Sequence, residues 1–275
     1  MGCSYNFRVD EIGMRNLLSC WDVVAARIKV AEHILLLSDY DGTLTPIVEK
    51  PELADLSPQM KEHLQELAEN SHLTLGVISG RTVQDLRERV GIDGIIYVGN
   101  HGLEIEGPNF SFVNPVAKEA EPFLHSLCGE LGKALSEIKG ARVDDKGLTL
   151  SLHYRLVDEA QLGEVDRIFH RIINPPLASG KIRITPSKKA YDIRPAVDWN
   201  KGEAIEFITR GLNGKLAEGS RLLVVFLGDD ITDYDGFHVV NKGKGISIFV
   251  GEESAEPKAQ YLLRSPGEVY QFLNM

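Results

Sequence analysis

Apolar and polar positions along this chain follow one pattern, leave it, and return to it. Residues 14–32 carry Leu17, Leu18, Trp21, Val24, Ala25 and Ile28 at helical spacing, which predicts a leading helix. Ile34-Leu35-Leu36-Leu37 is a continuous apolar run, as expected of a strand covered on both faces. Ser57-Pro58 supplies an N-cap and a first-turn proline for a helix with Met60, Leu64 and Leu67 on one face. Leu73 to Ile78 reads as a second buried strand. Thr82 to Val90 reads as a helix closed by Gly91, and Ile95 to Val98 as a third strand. Strands alternating with helices predict a parallel sheet with right-handed crossovers.

The pattern changes near Gly107-Pro108. A long helix is predicted over about 116–138. Leu148 to Arg155 then alternates strictly between apolar and polar, the mark of a half-buried strand, with Lys146-Gly147 as its turn. A helix over about 158–173 leads to strands at Ile182 to Thr185 and Ala190 to Arg194. This stretch reads helix, two strands, helix, two strands, which fits an open antiparallel sheet with helices on one face. The first pattern then returns: helix Gly202 to Leu212, buried strand Leu222 to Leu227, helix Thr232 to Val240, strand Ile246 to Val250 and helix Pro266 to Leu273. The expected organisation is a helical extension over 1–32, a core over 33–106 and 195–275, and an inserted domain over 107–194. The fold class is a Rossmann-like α/β core with a parallel sheet, plus an inserted α/β domain with an open antiparallel sheet.

Composition narrows the function classes. The 275 residues carry 30 Lys+Arg and 40 Asp+Glu, a net charge of −10, with 43% apolar and 25% charged residues. That is globular composition, and the acidic balance argues against an extended nucleic-acid surface. No apolar run approaches the roughly 20 residues of a membrane span. The start Met1-Gly2-Cys3-Ser4 has Asn at position 6, so the myristoylation pattern fails, and no secretory leader is evident. Cys3, Cys20 and Cys128 form neither a disulfide framework nor a zinc site, and a reducing cytoplasm is the expected location.

Candidate chemistry collects at the ends of the buried strands, where open parallel sheets bind ligands. Asp39-Tyr40-Asp41-Gly42-Thr43-Leu44 follows the first strand. Carboxylates two residues apart on an irregular turn repel unless a cation sits between them, and Mg²⁺ prefers such hard oxygen ligands. Gly228-Asp229-Asp230-Ile231-Thr232-Asp233 ends another strand; Asp229 is the stronger candidate ligand, while Asp230 and Asp233 are equally suited to capping the next helix. Ser79-Gly80-Arg81 offers a hydroxyl and a guanidinium beside a helix start, with a plain N-cap as the simpler role for Ser79. Lys201 opens a helix, where a surface lysine is the ordinary reading. Asn100-His101 sits between Gly99 and Gly102, which allows close backbone approach. Together these groups fit phosphoryl transfer: a carboxylate attacks phosphorus, Mg²⁺ screens charge, and Ser and Lys hold the equatorial oxygens.

In order along the chain, Asp39-Tyr40-Asp41-Gly42-Thr43, Ser79-Gly80-Arg81, Lys201 and Gly228-Asp229-Asp230 resemble the four motifs of the haloacid dehalogenase-like superfamily. Gly99-Asn100-His101-Gly102 with Glu104, Asp145-Lys146-Gly147 through His153-Tyr154-Arg155, Arg194-Pro195 with Trp199-Asn200-Lys201-Gly202, and Gly228 to Asp233 are similar to the trehalose-6-phosphate phosphatase family. The resemblance spans about residues 33–273. It implies that Asp39 is the nucleophile that becomes an aspartyl phosphate. Asp41 is the implied general acid that protonates the departing sugar oxygen and later activates water. Asp39, the main-chain carbonyl of Asp41, and Asp229 are the implied Mg²⁺ ligands, with Asp230 close by. Ser79 and Lys201 are the implied phosphate holders, and the inserted domain is the implied cap over the sugar.

Substrate-binding roles are implied for Tyr40, Gly80 and Arg81, and for Asn100, His101, Gly102 and Glu104. From the cap, Lys188, Lys189 and Asp192 are the expected contacts. Two positions depart from the family pattern: Tyr234 stands where Glu is usual, and Asp192 where Glu is common. On the alternating strand, Thr149, Ser151, His153 and Arg155 form a polar face opposite Leu148, Leu150, Leu152 and Tyr154. That face meets either solvent or a bound disaccharide. The implied activity is Mg²⁺-dependent hydrolysis of trehalose 6-phosphate in trehalose biosynthesis. A phosphatase of a related disaccharide or glucosylglycerol phosphate, a phosphomutase, and a non-catalytic sugar-phosphate sensor stand beside it. The expected setting is a cytoplasmic monomer that pairs functionally with a trehalose-phosphate synthase and binds neither nucleic acid nor membrane.

Overall fold

The structure is a computed structural model that describes residues 14–187, 189–252 and 258–275, without the side chains of Pro186 and Ser187. Lys188, Cys3 and the Met1-Gly2-Cys3-Ser4 start therefore lie outside the described residues. From its N-terminal end the chain runs β1 (Arg15–Asn16), α1 (Trp21–Lys29), β2 (His33–Asp39), α2 (Pro58–Ala68), β3 (Leu73–Ile78), α3 (Val83–Val90) and β4 (Ile96–Gly99). A hairpin follows, β5 (Glu104–Gly107) and β6 (Phe110–Val113). Next come α4 (Pro115–Ala134), β7 (Arg142–Asp145), β8 (Leu150–His153), α5 (Leu162–Ala178), β9 (Ile182–Ser187) and β10 (Ala190–Pro195). The return is α6 (Lys201–Asn213), β11 (Leu222–Gly228), α7 (Tyr234–Lys242), β12 (Ile246–Val250), β13 (Tyr261–Leu263) and α8 (Pro266–Leu273).

Among the described residues, one nine-stranded sheet has the order β1-β13-β12-β11-β2-β3-β4-β5-β6. Every neighbour pair from β1 to β4 is parallel, while β4–β5 and β5–β6 are antiparallel. The chain moves outward from β2 to β3 and β4, then returns on the other side of β2 through β11. The gap between β2 and β11 is thus the switch point where such sheets take ligands. The apolar run in β2 is continuous because both its faces are covered. Leu36 packs with Val24, Met60, Leu64, Leu86 and Val269 on one side. Leu35 and Leu37 pack with Ile205, Ile208, Phe237 and Val240 of α6 and α7 on the other. A second, four-stranded antiparallel sheet has the order β7-β8-β10-β9. Its apolar face, with Leu150, Leu152, Ile182 and Ile193, packs on Leu124, Leu131, Phe169 and Ile173 of α4 and α5.

Several boundaries differ from the sequence expectation. Gly107-Pro108 does not mark a domain boundary; it begins the turn of the β5–β6 hairpin, which extends the large sheet, so the core continues through Val113. Glu104-Ile105-Glu106 and Phe110-Ser111-Phe112 are short alternating strands, and their Gly-Pro turn mimics domain punctuation. The leading helix spans only α1, because Arg15 and Asn16 pair with Tyr261 and Leu262 at the sheet edge. α5 starts later than expected and runs through Pro175-Pro176 to Ala178. α7 starts at Tyr234, after a 3₁₀ turn over Ile231–Asp233.

The chain enters and leaves the cap at one place. Asn114, which caps α4, donates its backbone N–H to Leu103 O at 2.8 Å. On the return, Trp199 Nε1 donates to Gly102 O at 2.6 Å. Gly102 has φ +103°, and a β-carbon there would stand 2.7 Å from Asn200 O, so this close approach requires glycine. Cys20 and Cys128 are free thiols. No helix among the described residues is long and apolar enough to cross a membrane.

Candidate active site

The carboxyl ends of β2, β3, β4 and β11 converge beneath the cap. Asp39 closes β2 and is buried. Lys201 is the first residue of α6, behind the N-cap Asn200, and is 3% exposed. Its Nζ lies 2.6 Å from Asp39 Oδ1 and 2.7 Å from Asp233 Oδ1. Asp233 is fully buried, and its Oδ2 accepts from the backbone N–H groups of Asp229 (3.0 Å) and Asp230 (3.1 Å). Ligand atoms of Asp39, Asp229 and Asp233 all lie within 4.8 Å of one another.

The backbone makes room for this cluster. Gly42 has φ +91°, and a β-carbon on it would fall 2.1 Å from Asp229 Oδ2. Three carboxylates face one ammonium. Burial pushes the Asp39 and Asp233 carboxyls above the ordinary range, with neighbouring carboxylates adding to the shift and Lys201 opposing it. Burial also works against the charge on Lys201, but Asp233 and Asp39 outweigh it and hold its pKa well above the usual lysine value. An excess of buried, oxygen-only negative charge fits a hard divalent cation such as Mg²⁺. The cradle over Gly42 that keeps Asp229 among these oxygens agrees with that.

Asp230, expected close to the metal ligands, lines the cleft with Asp39 and Asp229 and caps the 3₁₀ turn. Its Oδ1 accepts from Thr232 N (2.6 Å) and Thr232 Oγ1 (2.7 Å), while Asp233 takes the place in the cluster. The signal for Asp233 was its place as the third residue of the turn, where a carboxylate reaches back to the N-cap backbone.

Ser79 is buried at the end of β3, and its Oγ accepts from Arg81 N at 3.2 Å. It is not the cap of α3; Thr82 is, accepting from Asp85 N. Arg81 turns toward Asp41. Its Nε and Nη2 each donate to an Asp41 oxygen at 2.7 Å, Nη1 donates to Asp85 Oδ2 at 2.6 Å, and Nη2 to Pro51 O at 2.7 Å. This two-pronged pairing fixes the plane of the Asp41 carboxylate.

His101 stands at the end of β4 with φ +57°, next to Asn100 at φ +48°. Such backbone in a bulky residue costs on the order of 1–3 kcal/mol and gathers at functional sites. The ring packs so closely on Gly80 that a β-carbon there would be 2.6 Å from it. Burial pushes its pKa down to about 4, with Lys201 and Lys146 assisting and Asp192 opposing.

The cap closes this edge with polar side chains. Asp144, Ser151, Asp192 and Thr185 lie in cross-strand register. Ser151 is buried and donates to Asp192. Asp192 also lies 3.7 Å from Lys146 Nζ and 4.0 Å from His101 Nε2. Burial works against its charge, but Lys146 and His101 hold its pKa below the ordinary carboxylate value. Asp144 pairs with Arg142 (2.6 Å) and His153 (3.2 Å). At the rim, Arg142 pairs with Glu52 and Arg155 Nη1 donates to Val48 O at 2.7 Å. The alternating strand thus turns its polar face to the core rather than to open solvent.

Between cap and core lies a cleft of about 540 Å³. It is lined by Asp39, Asp41, Ser79, Gly80, Arg81, His101, Lys189, Asp192, Lys201, Asp229 and Asp230, among others. The sequence reading missed Arg142 and Asp144, which also line it; Lys146 and His153, placed there in a family motif without a site role, line it too. Four residues expected to bind substrate stand outside the lining. Tyr40 is buried with its hydroxyl donating to Ala54 O at 2.8 Å. Gly102 faces Asn200. Glu104 accepts from Val83 N (2.9 Å) and Asn100 Nδ2 (2.7 Å), and so satisfies the first N–H of α3. Asn100, 1% exposed, has its amide engaged by Glu104 and the cap. Tyr234 packs on Phe237 and is not among the residues lining the cleft.

A family model described as trehalose-phosphatase matches residues 37–266. The chain belongs to the trehalose-phosphatase family. Its relatives in that family include the probable trehalose-phosphate phosphatase D of Arabidopsis thaliana, 34% identical over 266 residues that cover 93% of this chain and 70% of that protein. Trehalose-phosphate phosphatase B of the same plant is 30% identical over 266 residues, covering 93% and 69%. The trehalose-phosphatase fold recurs in the C-terminal domain of C. albicans trehalose-6-phosphate phosphatase, with a TM-score of 0.77 at 24% identity over 92% of this chain and 95% of that one. The core and inserted cap are those of haloacid dehalogenase-like hydrolases.

Proposed function

We propose that this protein is a Mg²⁺-dependent phosphatase that hydrolyses trehalose 6-phosphate to trehalose and inorganic phosphate. The observation that carries the reading is the buried Asp39 carboxylate. Lys201 binds its Oδ1, which leaves Oδ2 to attack, and Asp229 and Asp233 stand beside it at the floor of a cleft with a polar roof. Asp39 Oδ2 forms a bond to phosphorus as the ester bond to the sugar oxygen breaks, giving an aspartyl phosphate. Asp41, oriented by Arg81, supplies the proton that the departing oxygen takes up. It then removes a proton from the water that releases phosphate and restores Asp39. Ser79 and Lys201 hold the equatorial oxygens. Mg²⁺, held by Asp39, Asp229 and Asp233, would neutralise charge on the phosphoryl group. The polar cap face supports a sugar as leaving group, and the trehalose-phosphate phosphatases among its relatives support trehalose as that sugar.

The test is phosphate release from trehalose 6-phosphate beside sucrose, glucosylglycerol and glucose phosphates, with Mg²⁺ and with a chelator. Trehalose 6-phosphate is expected to be preferred and the chelator to stop release. Asp39→Asn is expected to keep its fold and lose activity by on the order of 10⁴ or more. Comparable efficiency on unrelated monosaccharide phosphates would end the trehalose assignment. Tight binding without turnover in Mg²⁺ would favour a sensor.

A further inference from the structure

The three successive carbonyls of the Ser79–Arg81 loop are all engaged from outside the loop. Ser79 O accepts from His101 N (2.9 Å), Arg81 O from Asn100 N (2.7 Å), and Gly80 O from Lys146 Nζ of the cap (3.0 Å). The left-handed pair Asn100-His101 supplies two of these three donors, and only its unusual backbone turns both N–H groups to the same loop. The side chain of Asn100 points the other way. Its Nδ2 donates to Lys146 O at 3.2 Å, and its Oδ1 accepts from Thr149 Oγ1 at 2.5 Å. Lys146 and Thr149 flank the turn between β7 and β8, so one residue grips that turn by both its strands. Glu104 Oε1 takes the second N–H of the same amide and fixes which way it faces.

We propose that Asn100 is a positioning residue that fastens the β7–β8 turn of the cap to the Ser79–Arg81 loop, so that occupancy of this loop and closure of the cap are coupled. This rests on the phosphatase reading, in which Ser79–Arg81 holds phosphate. Phosphate that tightens the loop then tightens the grip of Asn100 on the turn. The turn carries Lys146, which reaches both Gly80 O and Asp192. The roof of the cleft is thereby set only when the floor is.

The test uses the full chain and hydrogen–deuterium exchange at Lys146 and Leu148, whose N–H groups donate within the turn. Thr149→Val removes the hydroxyl that meets Asn100 while keeping the shape, and Thr149→Ser restores it. Thr149→Val is expected to speed exchange there about tenfold, the effect of one buried hydrogen bond, with Thr149→Ser close to wild type. Inorganic phosphate with MgCl₂ is expected to slow this exchange in the wild type and in Thr149→Ser, but not in Thr149→Val. In turnover, Thr149→Val is expected to raise KM for trehalose 6-phosphate about tenfold, with Thr149→Ser close to wild type. Wild-type exchange and phosphate response in Thr149→Val would overturn the coupling. The exchange result needs no turnover, so a protein that shows it yet releases no phosphate from any sugar phosphate would sink the phosphatase reading and leave the coupling standing.

Discussion

Replacing Lys201 by methionine tests the charge arrangement at the heart of the site. The ammonium is 3% exposed and within 2.7 Å of oxygens of both Asp39 and Asp233. Methionine nearly fills the space but leaves two buried carboxylates without their cation. Breaking a buried pair by removing one partner costs about 3–5 kcal/mol. A chain of this size shifts by about 2–4 °C per kcal/mol, so the melting temperature in chelator is expected to fall by about 6–20 °C. The deficit should depend on pH. Burial already raises the pKa of both carboxyls, and losing Lys201 raises them further. The native state then holds protons that the unfolded chain has released, so the deficit grows as pH rises above the ordinary carboxylate range and narrows on acidification. Adding Asp39→Asn to Lys201→Met should recover some of the loss, because one fewer charge is stranded. Thermal melts by circular dichroism at neutral and acidic pH read all three effects. A Lys201→Met protein that melts with the wild type in chelator at every pH would refute the picture of a buried ammonium holding two carboxylates.

Two further substitutions probe the neighbours of that cluster. Gly42→Ala forces an L-residue to φ +91° with its β-carbon 2.1 Å from Asp229 Oδ2, so Asp229 must move. The rise in melting temperature on adding MgCl₂ should shrink, with apparent Mg²⁺ affinity down at least about tenfold; an unchanged response would remove Asp229 from the cation site. His101 has a folded pKa near 4, below its unfolded value, so its stabilisation is full above about pH 6.5 and is lost as pH falls toward 4. The loss is about 1.4 kcal/mol per pH unit, and His101→Asn, which tolerates the same backbone, should flatten urea midpoints between about pH 6.5 and 5. Parallel decline in both proteins would assign that proton uptake elsewhere.

Strand ends were legible because burial on both faces demands an unbroken apolar run, and the first polar residues after it have one place to go. Asp39, Ser79 and Asp229 were found in this way, whereas Lys201 stands at a helix start and was singled out by the family motif. Asp230 and Asp233 were not separable, since both can cap the same turn, Asp230 from the N-cap position and Asp233 by reaching back to the N-cap N–H, and only the folded turn shows which carboxylate joins the cluster. The polar face of β8 alternates identically whether it meets water or the core; burial of Ser151 requires the tertiary fold. The family resemblance implied substrate roles for Asn100 and Glu104, yet here the cap and α3 engage their side chains. The β5–β6 hairpin was hidden by its own turn residues, and β13 by its length of three.

The two passages between core and cap meet at Gly102 and Leu103, where Trp199 also stacks on Phe112, which makes the cap a lever with its fulcrum at one end. Arg194, next to the return passage, sits at that fulcrum. Ala190, in register with His153 and through it with Arg142, is four residues further along β10, about 13 Å away at roughly 3.3 Å per residue. A swing of a few degrees would barely disturb Asn100 and Thr149 while separating Arg142 from Glu52 and Arg155 from Val48. A swing of about five degrees on that arm moves the outer lip by about 1 Å, enough to break its hydrogen bonds, so the cleft would loosen there before it loosened beside the Ser79–Arg81 loop.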